Sequence, residues 1–145
     1  MYVGDIKSYV MADAINLMTI SNWHKSYKPN DVSRYICTPI MNDRAMWYFD
    51  DEEGTLQGFL TWAFLDKDAE IAYLDKSRPL EWEDWNRLEG NLWIIDMIAP
   101  YGNVLEMARQ AKKWFEDTFG ETHSVAYFKR NSKRIGHIKR KFVYH

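Results

Sequence analysis

A single carboxylate interrupts the most apolar stretch of the sequence. Asp96 lies within the run Leu92-Trp93-Ile94-Ile95-Asp96-Met97-Ile98-Ala99. Burying a carboxylate without partners costs several kcal/mol, so this position needs a physical reason. It either orients and charges a catalytic histidine, as the acid does in a serine–histidine–aspartate triad, or it is a structural carboxylate bound by backbone amides or an arginine. The residue pattern leaves both interpretations open.

His24 is the candidate partner for Asp96. It lies in a polar and aromatic segment beside Ser21 and Trp23, which are candidates to line a cleft and contact a substrate. A histidine, with an ordinary pKa of about 6.5, can take up and return a proton near neutral pH. A lone histidine is more commonly a surface or packed residue, so the pattern by itself does not assign a catalytic role to His24.

Other chemistries lack the residues they need. Four scattered histidines and one cysteine offer no spaced ligand pair, so we expect no metal site. Cys37 is either a nucleophile or, as we favour, a small buried hydrophobe. GxGxxG, Walker and GxSxG motifs are absent, and so is the glycine-rich pyrophosphate loop of ordinary acetyl-CoA-dependent N-acetyltransferases. We therefore expect no tightly bound cofactor.

Charge is distributed unevenly along the chain. The net charge is −2, but seven of the 19 basic residues follow Glu121, after which there is no acidic residue. The first 121 residues therefore carry 12 basic and 21 acidic residues, a balance of −9. Within the basic segment, Lys129, Arg130 and Arg134 are candidates to bind an anionic partner, either a phosphorylated cofactor, an acidic carrier protein or nucleic acid.

Length and composition indicate one globular domain over residues 1–145, with 46% hydrophobic and 28% charged residues. No segment has the roughly 18 consecutive apolar residues of a membrane span. The N-terminus lacks the basic start and unbroken apolar run of a signal peptide, so we expect a cytoplasmic location. The acidic bulk of the chain argues against a nucleic-acid partner.

Periodicity predicts a mixed sequence of helices and strands. Leu105, Ala108, Ala111, Phe115 and Phe119 share the apolar face of the clearest helix, which Gly120 ends. Asp66 is the expected N-cap of an earlier helix. The expected fold is α+β (mixed α/β), with a central, largely antiparallel sheet flanked by helices. The predicted helices are 5–18, 66–74 and 104–119, and the predicted strands are 45–49, 56–65, 92–99 and 124–128, of which the first two form a hairpin.

Three groups of residues resemble the RTX-toxin-activating (hemolysin-activating) lysine acyltransferases, in the order and approximate spacing of that family. The first is Ser21-Asn22-Trp23-His24. The second is Thr61-Trp62-Ala63-Phe64-Leu65-Asp66, followed by Glu70 and Tyr73-Leu74. The third is Glu83-Asp84-Trp85, then Gly90, then the run from Leu92 to Gly102, in which Met97 stands where the family usually has tryptophan.

The resemblance implies roles that the residue pattern left open. The catalytic histidine of the family falls on His24 and its catalytic aspartate on Asp96, with Ser21 assisting by a hydrogen bond. It implies a fold like the Gcn5-type N-acetyltransferases, a homodimer, and transfer of a fatty acyl group from acyl carrier protein to the ε-amine of a lysine on an RTX-protoxin-like substrate. His24 would act as general base or carry the acyl group itself.

Two other functions remain as alternatives. One is a Gcn5-type acetyltransferase that uses acetyl-CoA, or another acyl-CoA, as donor. The other is a non-enzymatic module that binds partners through the basic C-terminal segment, and it predicts strongly salt-dependent binding to nucleic acid. The lysine acyltransferase hypothesis requires a specific geometry: the ring of His24 must lie within hydrogen-bonding reach of Asp96, in a cleft.

Overall fold

The computed structural model describes residues 6–120, 124–128 and 138–143. Its helices are α1 (Ile6–Met18), α2 (Pro29–Val32), α3 (Thr38–Met41), α4 (Lys67–Asp75), α5 (Trp82–Asn86) and α6 (Val104–Phe119). A 3-10 turn spans His24–Ser26 and a π-helical turn spans Ser33–Cys37. The strands are β1 (Ala45–Phe49), β2 (Leu56–Leu65), β3 (Asn91–Ile98), β4 (Ser124–Phe128) and β5 (Ile138–Val143).

The five strands form one sheet in the order β1-β2-β3-β4-β5. The pairs β1–β2, β2–β3 and β4–β5 are antiparallel, whereas β3 and β4 run parallel. The predicted mixed fold with a largely antiparallel sheet is therefore confirmed. The parallel pair follows from the connection through α6, because parallel neighbours need a long crossover and a helix provides it.

The elements begin and end where local chemistry dictates. The carboxylate of Asp66 accepts the backbone N–H of Ala69 at 2.7 Å, which caps α4 as predicted. Gly120 ends α6 with a φ of 95° and donates its N–H to the Glu116 carbonyl. The hairpin β1–β2 closes through a turn that ends at Gly54, with a φ of 67°.

Two features differ from the sequence predictions. Leu105, expected on the buried face of α6, is 72% exposed, and Met107 is buried instead with Ala111 and Phe115. The helix begins at Val104, so Leu105 lies in its first turn. No strand was predicted in the basic segment after β4, but its residues Ile138–Val143 pair with β4 as a fifth strand.

The sheet is covered on both faces. Helix α6 packs against one face of the sheet. There, the aromatic side chains of Trp62 and Phe115 belong to a buried hydrophobic cluster that also includes Leu60, Ile94 and Val125. On the other face, α1 and α3 cover one end of the sheet and α4 and α5 the other. Because β2 and β3 are central strands enclosed on both sides, they are nearly continuous apolar runs.

Candidate active site

The turn after α1 places His24 over the sheet. The helix ends with N–H groups of Ile20 and Ser21 bonded to the carbonyls of Leu17 and Met18, each at 3.2 Å. The chain then bends so that Lys25 donates its N–H to the carbonyl of Ser21 at 3.0 Å. This geometry turns the side chain of His24 inward, where only 5% of the residue remains exposed.

A β-bulge positions Asp96. Thr61 of β2 pairs with Asp96 and the next residue, Trp62, pairs with Ile94, so Ile95 is the extra residue on β3. Bulges bend a strand locally and re-aim its side chains. The backbone N–H of Asp96 donates to Oγ1 of Thr61 at 3.2 Å, and both residues are buried. The strand irregularity thus directs the carboxylate towards the turn that carries His24.

The two side chains meet as the sequence hypothesis required. Nε2 of His24 lies 3.0 Å from Oδ1 of Asp96, and the Asp96 side chain is fully buried. On the opposite side of the ring, Oγ of Ser21 lies 2.7 Å from Nδ1 of His24. A carboxylate only accepts hydrogen bonds, so Nε2 carries the proton in the neutral ring and Nδ1 accepts the hydroxyl of Ser21.

This arrangement can move protons. With Nε2–H held by Asp96, the free lone pair of the ring is on Nδ1, directed at the hydroxyl of Ser21. Asp96 fixes both the tautomer and the orientation of the ring, and it stabilises the imidazolium that forms when Nδ1 takes up a proton. Ser21 is half-buried whereas His24 is buried, so Ser21 is the more accessible of these two residues.

The remaining expected site residues lie partly outside the described structure. Trp23 is half-buried in the same turn, and its carbonyl accepts the hydroxyl of Ser26 at 3.0 Å. Lys129, Arg130 and Arg134 lie outside the described residues. The structure therefore brings His24, Asp96 and Ser21 together and describes Trp23 beside them.

Two residues of the site were not predicted from the sequence. The phenol of Tyr27 donates to Oδ1 of Asp96 at 2.9 Å, and Thr61 holds the backbone of Asp96. Thr61 could have been identified from the sequence, because it is a polar residue inside the apolar strand β2, as Asp96 is in β3. The only sequence feature that could have pointed to Tyr27 is its position three residues after His24.

Other reactive groups are placed less favourably. Burial raises the pKa of the Cys37 thiol, which lowers its thiolate fraction at neutral pH. Within residues 6–120, 124–128 and 138–143, no cluster of three histidine, cysteine or carboxylate side chains is arranged to hold a metal ion. In the same part of the chain, no helix is both long and apolar enough to cross a membrane.

A cavity of about 350 Å³ lies on the opposite face of the sheet from His24. It is formed by β1, β2 and α6, and Met46, Trp62, Met107 and Trp114 are among its lining residues. Trp62 and its buried neighbours belong to the cluster under α6, whereas Tyr27 packs on the cluster under α1. The sheet therefore separates this cavity from the His24–Asp96 pair.

Comparison with known proteins identifies the family of this chain. A model of the RTX toxin acyltransferase family matches residues 6–141. The RTX-II toxin-activating lysine-acyltransferase ApxIIC of Actinobacillus pleuropneumoniae is 25% identical over 119 residues, covering 82% of this chain and 72% of the relative. The leukotoxin-activating lysine-acyltransferase LktC (serotype A11) of Mannheimia haemolytica is 27% identical over 115 residues, covering 79% and 65%.

A third relative is named for the group it transfers. The protein-lysine myristoyltransferase RtxC of Kingella kingae is 31% identical over 101 residues, covering 70% of this chain and 59% of the relative. The three alignments thus span between 59% and 72% of the relatives' own lengths. Because the family model extends over nearly the whole sequence, this chain belongs to the RTX toxin acyltransferase family.

Proposed function

We propose that this chain transfers a fatty acyl group from acyl carrier protein to the ε-amine of a lysine on an RTX-protoxin-like protein substrate. The observation that carries the proposal is the buried hydrogen-bonded chain Ser21–His24–Asp96 in a member of this acyltransferase family. The relatives are named as lysine acyltransferases or as a protein-lysine myristoyltransferase, so lysine is the acyl acceptor in their names. We assign His24 as general base and Asp96 as the residue that orients it.

The chemistry requires a base. A lysine amine, with an ordinary pKa of about 10.4, is mostly protonated at neutral pH and attacks a thioester only after it loses a proton. Nδ1 of His24 takes that proton, with the Ser21 hydroxyl in the path between the buried ring and the substrate. A carbon–nitrogen bond forms and the carbon–sulfur bond breaks. The ammonium group loses two protons in becoming an amide: His24 passes one to the departing thiolate, and the other leaves to solvent.

Direct transfer fits the geometry better than an acyl group carried on His24. Both ring nitrogens already have hydrogen-bond partners, and the residue is 5% exposed. An acyl-histidine would have to displace Ser21 from Nδ1 and place a long chain in the buried turn. We therefore propose that the amine attacks the thioester directly, while the imidazole exchanges only a proton.

The donor is proposed to lie between β3 and β4, in a Gcn5-type N-acetyltransferase-like arrangement. These parallel strands are paired from Leu92 to Ile94 of β3, whereas β3 continues to Ile98. An extended phosphopantetheine arm carries amides that suit the backbone of a strand edge. Because the strands are parallel, β4 ends towards the same edge of the sheet as Asp96, and Lys129 and Arg130 follow β4 in the sequence.

We assign Lys129, Arg130 and Arg134 to the phosphate of that arm or to the acidic surface of the carrier protein. Ser21 and Trp23 are assigned to the acceptor side, beside His24. The donor thus needs no tightly bound cofactor, since its phosphopantetheine arrives with the carrier. An acyl-CoA has the same arm, so it is the alternative donor. A non-enzymatic module is not favoured, because a basic segment alone does not require the buried pair.

The test is transfer of labelled acyl groups to a protein lysine. We expect label on the protein substrate with myristoyl acyl carrier protein as donor, and loss of transfer in His24→Ala. Lys25→Ala, which changes the exposed neighbour, is the matched control and should retain activity. Equal or better transfer from acetyl-CoA to a small amine would replace this proposal with the acetyltransferase alternative. Unchanged transfer in His24→Ala would refute the assignment of His24 as the general base.

Three wider features remain part of the proposal. We infer a single acyltransferase domain over residues 1–145, a homodimer and a cytoplasmic location. The near-continuous family match over residues 6–141 supports one domain. Light scattering on the purified chain tests the dimer, and a monomer over the micromolar range would contradict it. The net charge of −2 gives no support for a nucleic-acid partner.

A further inference from the structure

We propose that Tyr27 is a positioning residue of this reaction: its phenol shares one oxygen of Asp96 with His24 and thereby sets how readily His24 releases its proton. The inference rests on the proposed function, since it concerns the base of that reaction. It adds a residue that neither the family resemblance nor the motif spacing assigned.

Three contacts support it. The hydroxyl of Tyr27 donates to Oδ1 of Asp96 at 2.9 Å, and Nε2 of His24 lies 3.0 Å from the same oxygen. The rings of Tyr27 and His24 meet edge to face, with centroids 5.2 Å apart and planes inclined at 63°. One residue thus contacts both members of the pair, through its hydroxyl on the acid and through its ring on the base.

The phenol is held in place by its own packing. Tyr27 is half-buried against the apolar cluster under α1, which includes Leu17, Ile36 and Phe59. Its backbone N–H bonds to the carbonyl of His24 at 3.0 Å, which closes the 3-10 turn. The hydroxyl therefore reaches Asp96, 69 positions away in sequence, from a fixed direction. A hydrogen bond to an ionised acceptor is stronger than one between neutral groups.

Sharing the oxygen has an electrostatic consequence. Among the described residues, two ionisable groups contact the ring of His24: Asp96 of β3, and Tyr27, which follows the 3-10 turn. The preceding turn contributes the neutral hydroxyl of Ser21. The phenol disperses part of the carboxylate charge. With less charge facing Nε2, the imidazolium is stabilised less than it would be beside an unshared carboxylate.

The decisive variant is Tyr27→Phe, which keeps the ring and removes the hydroxyl. Asp96 then directs its undivided charge at His24, so the acid limb of the kcat profile should move to higher pH. We also expect kcat to fall roughly tenfold at the wild-type optimum, with an unchanged KM for the acyl donor. The pH at which NMR signals of the His24 ring move should rise as well, a readout that does not depend on activity.

Tyr35→Phe is the matched control. The hydroxyl of Tyr35 accepts the backbone N–H of Leu80 at 3.3 Å, so this variant also removes a part-buried phenol oxygen from a hydrogen bond. It should lower stability without moving the acid limb. A purely structural Tyr27 would behave in the same way, with an unmoved acid limb and unmoved His24 signals in Tyr27→Phe, and that result would overturn the proposal.

Fluorotyrosine at position 27 provides a second test that preserves the fold. Fluorine makes the phenol a stronger donor at nearly constant size, so the acid limb should move to lower pH, opposite to Tyr27→Phe. A shift in the same direction as Tyr27→Phe, or none, would contradict the proposal. Failure of the wild-type chain to acylate lysine would instead count against the proposed function, because the NMR readout still reports on Tyr27.

Discussion

His24 and Asp96 lie 72 positions apart in sequence and are joined by a hydrogen bond of 3.0 Å between Nε2 and Oδ1. The contact brings the turn after α1 onto the central strand β3, at the point where Ile95 forms a bulge. Both residues are buried, so the interaction is little screened by solvent. The catalytic proposal therefore depends on two local irregularities, a 3-10 turn and a bulge, which meet only in the folded chain.

Asp96→Asn tests the acid of the pair. An amide at this position keeps the shape but removes the charge, and its NH2 group can face Nε2, which would force the ring into the wrong tautomer. We expect kcat to fall by roughly 10³- to 10⁴-fold, as for the equivalent change in a serine–histidine–aspartate triad. Acyl transfer at saturating donor measures this, and circular dichroism checks the fold. Near-normal kcat in a folded variant would refute the orienting role.

Ser21→Ala tests the other side of the ring. The variant removes the 2.7 Å contact of Oγ with Nδ1, so the lone pair that accepts the proton loses its partner. Because Asp96 still holds Nε2, we expect a smaller loss than for Asp96→Asn, about tenfold in kcat. Ser26→Ala is the control, since its hydroxyl binds the carbonyl of Trp23 instead. Equal losses of kcat in the two variants would contradict the proposed role of Ser21 as the partner of Nδ1.

Gly90→Ala tests the loop that leads into β3. Gly90 has a φ of 136°, and a Cβ there would lie 2.7 Å from the carbonyl oxygen of Leu65. We expect a loss of about 3 kcal/mol in the free energy of unfolding, from backbone strain together with this overlap. Gly54→Ala separates the two causes, because Gly54 has a φ of 67° with open space around it. That variant should lose only about 1 kcal/mol. Urea denaturation measures both.

Asp84→Asn tests an ion pair that secures α5. Burial alone would raise the pKa of Asp84, but hydrogen bonds from Arg78, the Glu81 backbone and Arg87 outweigh it and hold the pKa below its ordinary value. The folded value is the lower one, so the stabilising contribution is complete above the unfolded pKa of about 3.9 and is lost as pH falls through the folded value. The stability gap between wild type and variant should therefore narrow below pH 4.

Denaturation at pH 7 and pH 3 measures that gap. Glu83→Gln, which neutralises the exposed carboxylate at the preceding position, controls for the loss of one negative charge. A gap of constant size for Asp84→Asn at both pH values would show that the carboxylate contributes through shape rather than charge.

Periodicity predicted the elements well where one physical signal dominated. The strand Leu56–Leu65 and the helix Val104–Phe119 have the predicted bounds, because a buried strand and an amphipathic helix each impose a regular apolar pattern. The short helices α2 and α3 were not predicted, since a single turn is too short to show a period. Leu105 was misassigned because periodicity gives the face of a helix but not which residues along that face other elements cover, and Leu105 in the first turn is 72% exposed.

The sequence by itself determined that Asp96 is exceptional, because a carboxylate in an apolar strand must find partners when it is buried. It also determined, through family-specific motifs, which histidine to consider. Only the tertiary structure decided that His24 supplies one of those partners, that Tyr27 and Thr61 supply others, and that Ser21 faces the opposite nitrogen. The reason is physical: these contacts join distant segments through a bulge and a turn, and neither irregularity leaves a period in the sequence.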